Sequence, residues 1–375
     1  PDDLGQNFLR LRYKDHTVKW ERHSEFTRYS IVQPLPAHAT LGNADPELLS
    51  GLMVPAEWLA GIPGQTMAAI KLVMLHGNTQ DAEGTMALGR TWLGGHSLVA
   101  SVMGNNGHSW ALTDFALRPT GFERMLVLAP DGTTEARAGR ISQRLLEMET
   151  YRLMALRGLP VAKNLSAMLS AAEAQLADIT GLLESKGESD QALLDLLVSL
   201  AARIERATAE HGFRFSATRA YDTLVSQRLA ELRERPISGT QTLGEFMQRR
   251  LSPAMATVQA TEKRLASLAE RVSRTSALLR TRVDIATEAQ NQVLLEKLTK
   301  GQALQLRLQS TVEGLSIAAI SYYVVSLLLY VVKALKVAGM PFQPETVVGF
   351  LVPVVFWGVW KAVQRIHKKL HQLEP

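Results

Sequence analysis

The sequence predicts an α/β cytoplasmic domain, then a long helical bundle or stalk, then a C-terminal hairpin of two transmembrane helices. Three observations predict it. Strand-length apolar runs and turn signals fill the first third. Helical periodicity begins after Asp131-Gly132 and persists. Two apolar segments, Gly314–Val332 and Thr346–Trp360, then follow in the last quarter, joined by a short turn. These observations divide the chain into an α/β part (1–132), a helical region (133–252), a stalk helix (253–313), two spans (314–336 and 346–363) around an outer loop (337–345), and a basic tail (364–375).

Thr17–Val32 is rich in Trp, Thr, Tyr and Val and stops at Pro34 and Pro36, as a strand pair would. Leu48–Leu59 reads as a short helix, and Met67–Leu75 and Met125–Leu128 as strands. Ser97–Met103 and His108–Phe115 flank Gly104-Asn105-Asn106-Gly107, whose residues tolerate the positive φ of a hairpin turn. Strands with interspersed helices indicate a layered domain.

Beyond Gly132, Ile141, Leu145, Met148 and Leu153 recur at helical spacing. Leu165–Leu183, Gln191–Glu210, Thr218–Arg233 and Leu243–Arg250 follow as helices, with Gly187, Gly212 and Pro236-Ile237-Ser238-Gly239 as breaks. After Pro253 no proline occurs until Pro341. Leu265, Leu268, Val272, Thr275 and Leu279 form a 3,4-spaced seam. As one helix, Ala254–Leu308 would extend roughly 80 Å; antiparallel bundling of its first half is the alternative.

Between Glu313 and Lys361 the only formal charges are Lys333, Lys336 and Glu345. The first apolar segment matches the ~20 residues a spanning helix needs; the second reaches that length if Lys361 snorkels. Tyr322, Tyr323, Tyr330, Trp357 and Trp360 suit interfacial aromatic belts. Basic residues flank both outer ends: Lys297, Lys300 and Arg307 before, and Lys361, Arg365, Lys368 and Lys369 after. The positive-inside bias therefore places both termini in the cytoplasm, with Lys333 and Lys336 opposing it. The absence of cysteine suits that compartment.

Composition is that of a globular chain, with 46% hydrophobic residues, 21% charged residues and a net charge of +5. The basic excess is interleaved with acids and lacks an aromatic-lined patch, so no nucleic acid is expected. Membrane lipid is the expected surface partner. His23, His76, His96 and His108 show no metal-ligand spacing, and no carboxylate pair or nucleophile motif marks a catalytic centre. No enzyme activity, resident metal or cofactor is expected.

Along the first span, Ser316, Ala319, Tyr323, Ser326, Tyr330 and Lys333 recur at spacings of 3,4,3,4,3. Ile317, Ile320, Val324, Leu327, Leu328 and Val331 lie largely off that stripe. Polar side chains on one stripe of a lipid-embedded helix face another helix or water. The stripe is thus a close helix contact or, in a homo-oligomer, the lining of an axial path. Asp284 and Glu288, one turn apart on the stalk, form a solvated face or bridge a cation between subunits.

Several strings resemble domain-of-unknown-function family 3422, predicted membrane-anchored bacterial proteins. They are Lys19–Phe26 (KWERHSEF), Gln143–Arg152 (QRLLEMETYR), Phe246–Leu251 (FMQRRL), Leu279–Asp284 (LRTRVD) and Gln309–Ser316 (QSTVEGLS). The resemblance implies a bacterial inner membrane and no established activity, and its members usually carry additional residues ahead of Pro1. The order of parts also resembles CorA-type divalent-cation channels, which are homopentamers with a Gly-Met-Asn motif at the outer mouth. Here Gly339, Met340, Pro341 and Phe342 stand at that place, followed by Glu345. That resemblance implies a pentamer with ions as cargo. With Pro341 in place of Asn, magnesium selectivity is not expected. The rival expectation is a non-conducting scaffold whose cytoplasmic domain binds a protein or a small ligand.

Overall fold

The computed structural model describes residues 7–36, 51–77, 81–94, 97–185, 189–337 and 343–371. They fall into two compact units, Pro1–Leu279 and Arg280–Pro375.

The first unit opens with an antiparallel meander of β1 (Phe8–Arg12), β2 (Thr17–Arg22) and β3 (Thr27–Val32). Val18 lies opposite Ile31 and Trp20 opposite Tyr29, pairs of the β-branched and aromatic type that stabilise a ladder. The predicted strand pair is β2 and β3; β1 had no strong sequence signal. The expected helix at Leu48–Leu59 is reduced to α1 (Ala56–Ala60), and Leu48, Leu49 and Ser50 lie outside the described residues.

A second sheet has the order β4-β7-β6-β5-β8, from β4 (Ile70–His76), β5 (Val99–Met103), β6 (Ser109–Thr113), β7 (Glu123–Ala129) and β8 (Arg235–Pro236). β4 and β7 run parallel and the other pairs antiparallel. The predicted hairpin joins β5 to β6, with Gly104 at φ +80° and Gly107 at φ +63°. Along β7 the faces alternate. Met125 and Val127 enter one core, while Leu126 and Leu128 enter the other. Both faces are covered, so β7 reads as a continuous apolar run.

One face packs on α2 (Ala82–Trp92), which the sequence reading missed because Gly84 and Gly89 interrupt its period. Gly89 has a packing role: a Cβ there would lie 2.6 Å from Leu112 Cδ2. The other face packs on helices from α3 (Glu135–Leu156), α5 (Asp190–Leu232), α6 (Leu243–Arg250) and the start of α7 (Ser252–Val337). Between α3 and α5 runs α4 (Gly158–Ser185).

Gly212 was expected to break the chain between two helices, yet α5 runs through it as 43 residues. A glycine inside a helix costs about 1 kcal/mol, whereas one fully buried Leu contributes ~1.5–3 kcal/mol. The inward stripe Leu193, Leu197, Leu200 and Ile204 resumes beyond Gly212 with Phe215, Thr218, Tyr221 and Val225. Burial on both sides outweighs the break. α6 starts with a capping box between Thr242 and Glu245.

The first part of α7 takes the bundled alternative. Ala254, Met255, Val258, Leu265, Leu268, Val272 and Leu279 are buried, and the predicted seam is a packed one. In the second unit, α7 continues from Arg280 to Val337, and α8 (Pro344–His371) follows. Two helices here are long and apolar enough to cross a membrane, and almost none of their apolar windows is buried. Pro353 lies inside α8.

Candidate functional sites

The predicted stripe is on the outside of the second unit. Ser316, Ala319, Tyr323, Tyr330 and Lys333 are exposed, and Ser326 is half-buried. About half a turn around α7, Ile317, Val324, Leu328 and Val332 are half-buried and Ser321 is buried. Val324 and Leu328, off the stripe, thus lie on the less exposed face of α7. Among the α8 residues whose burial is described, the less exposed are Val347, Leu351, Val355, Val359 and Val363, a spacing of four. The chain therefore covers the face of α7 opposite the polar stripe and leaves the stripe uncovered. From Thr287 to Val312 every residue of α7 is exposed, including Leu294, Leu295, Leu298 and Leu308.

Asp284 and Glu288 are exposed on α7, and Glu345 is exposed at the start of α8. Gly339, Met340, Pro341 and Phe342 lie outside the described residues. Lys361 Nζ sits 4.4 Å from the Trp357 ring centroid, a cation–π contact of a long stem folded back along an apolar helix.

The histidines do not converge. His76 Nδ1 lies 3.1 Å from Asp131 Oδ1, His108 Nδ1 lies 2.7 Å from Ser109 Oγ, and His23 stacks on Phe26. His96 lies outside the described residues. Among the described residues no group of three or more His, Asp or Glu side chains is placed to hold a metal ion.

The first unit holds a charged constellation that sequence reasoning missed. α3 presents Glu149 and Arg152 on the same face as Leu145 and Met148, toward the second sheet. Arg152 donates from Nε to Glu149 Oε2 at 2.8 Å and from Nη2 to Oε1 at 2.5 Å. The same Nη2 lies 3.7 Å from Oε1 of Glu123, at the start of β7. All three residues are buried. Burial pushes the Glu149 carboxyl up from 4.5 to about 8; Arg152 pulls it down and Glu123 adds to the rise.

Two rings close this cluster. Phe115 and Phe246 stack with centroids 4.2 Å apart, and the Arg152 guanidinium carbon lies 5.2 Å and 6.0 Å from them. Phe115 holds a left-handed φ of +49°, unusual for a residue with a Cβ. The turn is fixed by Thr113 Oγ1, which accepts from Phe115 N–H at 3.1 Å, and by Asp114 Oδ1, which accepts from Ala116 N–H at 3.1 Å.

A second network ties the meander to the bundle. Arg28 on β3 lies 3.5 Å from both Glu21 and Glu147, and Glu147 lies 2.6 Å from Arg228 on α5. Arg228 and Arg144 both pair with Glu231, while Glu25 pairs with Arg214. Burial, then Arg28, hold His23 below its ordinary range. Lys19–Phe26 and Gln143–Arg152 thus meet in this network, and Gln143–Arg152 meets Phe246–Leu251 at the ring pair. A usable sequence signal existed: on α3, positions 145, 148, 149 and 152 share one face, so Glu149 and Arg152 stand at core positions.

Glu147→Ala is expected to destabilise the first unit by about 3–5 kcal/mol, because the partly buried Arg28 and Arg228 lose a buried partner. Chemical denaturation of the full chain in detergent checks this. Conversely, Glu270→Ala, on an exposed one-turn pair with Arg274, is expected to change stability by less than ~1 kcal/mol.

The architecture defines a mixed α/β and long-helix protein with two apolar C-terminal helices. Residues 1–370 match the family described as protein of unknown function, DUF3422. The chain belongs to that family. No curated protein and no solved structure matches it.

Proposed function

We propose that this is a two-span bacterial inner-membrane protein, with both termini cytoplasmic, that assembles with copies of itself around the stripe of its first span. The exposed Ser316–Lys333 stripe carries this reading. In a bilayer, a hydroxyl-bearing and charged stripe is stabilised by facing another helix or water. The chain's own less exposed face lies on the other side of α7, so the covering surface comes from further copies. The exposed leucines of α7 ahead of the span extend the same demand into water. Copies ringed about an axis, as in CorA-type channels, would turn Ser316, Tyr323, Ser326 and Tyr330 toward a shared path for ions. The reading assigns no catalytic role.

Crosslinking and mass measurement of the detergent-solubilised full chain test the assembly. Ala319→Leu, which adds bulk to the stripe, is expected to reduce the assembled fraction about tenfold, equivalent to ~1.4 kcal/mol. Leu327→Phe, off the stripe and exposed, is expected to leave it unchanged. Equal effects would overturn the assignment of the stripe.

A scaffold without conduction is favoured by Lys333, exposed on the stripe, because a ring of ammonium groups repels cations. Flux across liposomes under magnesium, sodium, potassium and chloride gradients separates the readings. Conduction with little magnesium flux is expected, and Lys333→Gln is expected to increase cation flux. An intact oligomer passing no ion would favour the scaffold. Robust magnesium flux would overturn the argument from Pro341, which lacks a side-chain amide and a backbone N–H.

A further inference from the structure

We propose that Glu149 binds a proton beside Arg152 and Glu123, making the seam between β7 and α3 a proton site within the first unit. The charge balance requires it. Arg152 supplies one positive charge, and two ionised carboxylates would leave a net negative charge where Glu149 is sealed from solvent and Glu123 is nearly so. One added proton makes the cluster neutral.

The hydrogen bonding points the same way. Arg152 is committed to both oxygens of Glu149, and Glu123 Oε2 is buried without a partner. Both carboxyl groups converge on one guanidinium nitrogen: Arg152 Nη2 lies 2.5 Å from Glu149 Oε1 and 3.7 Å from Glu123 Oε1. Two carboxylates have only acceptors; a proton on one supplies the missing donor. Among the described residues, Arg152 and Glu123 are the charged groups that act on Glu149. α3 contributes Arg152 and β7 contributes Glu123, while Phe115 and α6 contribute rings. The proton is bound as an acid–base ligand, taken from water below the site's titration and returned above it.

The sign of the coupling follows. Glu149 is raised in the folded chain, so its contribution is fully present below 4.5 and is lost as pH rises to about 8. His23 and His108 are lowered, so their contributions are lost on acidification below 6.5. The interval between 6.5 and about 8 separates the proton site from these histidines.

The test is the Pro1–Pro375 chain in detergent, with thermal unfolding and infrared spectroscopy followed across that interval. The unfolding equilibrium constant is expected to rise by up to about tenfold per pH unit, the response to one proton. A protonated-carboxyl infrared band is expected at the acid end and absent at the alkaline end. Glu149→Gln mimics the protonated acid, with an oxygen for Arg152 and an N–H for Glu123. It is expected to abolish both the slope and the band. If that variant does not fold, Glu123→Gln provides the second test, because it also leaves a single carboxylate for Arg152. A wild-type protein with no such band, or a folded variant that keeps the band and the slope, overturns the proposal.

Discussion

Arg152→Ala is expected to lower the stability of the first unit by about 3–5 kcal/mol in mildly alkaline buffer. The substitution leaves Glu149 and Glu123 buried without their cation and removes the plane that lies against Phe115 and Phe246. The loss is expected to shrink on mild acidification, because protonating Glu149 removes part of the uncompensated charge. Arg152→Lys is expected to recover only part of the stability. An ammonium retains the charge but cannot reproduce the two-pronged contact or the ring stacking. Denaturant unfolding of the full chain at two pH values, followed by near-ultraviolet signals from the aromatic core, reads all three outcomes. An Arg152→Ala protein as stable as wild type at alkaline pH would show that the cluster is neutralised by other means.

Gly158→Ala is expected to cost about 1–3 kcal/mol through overpacking. Gly158 starts α4 and is buried against Thr218 of α5. A Cβ there would lie 2.4 Å from Thr218 Oγ1, 3.0 Å from its Cγ2 and 3.1 Å from its Cβ. The two closest contacts are to the branches of the threonine side chain; the third, to its Cβ, is relieved by a shift of a few tenths of an ångström. Thr218→Ala, which deletes the two closest atoms, is expected to restore most of the loss in the double variant. The pair should therefore be non-additive in a thermodynamic cycle, as contacting residues are. Additive losses would place the glycine's role in the helix start and not in the crossing.

Several parts of this molecule are written locally. Gly104 and Gly107 mark the β5–β6 turn because few other residues enter positive φ at low cost. The capping box at Thr242 marks the start of α6 within its own turn. The apolar character of the last quarter and the 3,4 recurrence of Ser316 to Lys333 are likewise properties of the chain in order, independent of its folding. Family membership was legible for the same reason, in short strings spread along the chain.

Other features depended on what each residue meets. Gly89 and Gly212 look alike in sequence, and both lie inside helices. Gly89 admits Leu112, while Gly212 is carried by buried residues on either side. Glu149 and Arg152 read locally as an ordinary surface pair on a helix. Glu123, Phe115 and Phe246 reach them only when the second sheet and α6 pack against α3, and the surrounding protein removes the water that would otherwise solvate the charges. Residues 253–279 could form a stalk or a bundle by periodicity alone, and packing chose the bundle. The sequence by itself determined where helices and strands are favoured and which stripe of the apolar end of α7 is polar. Tertiary structure alone decided which charges are buried and which face of α7 the chain covers, because desolvation and packing depend on neighbours distant in sequence.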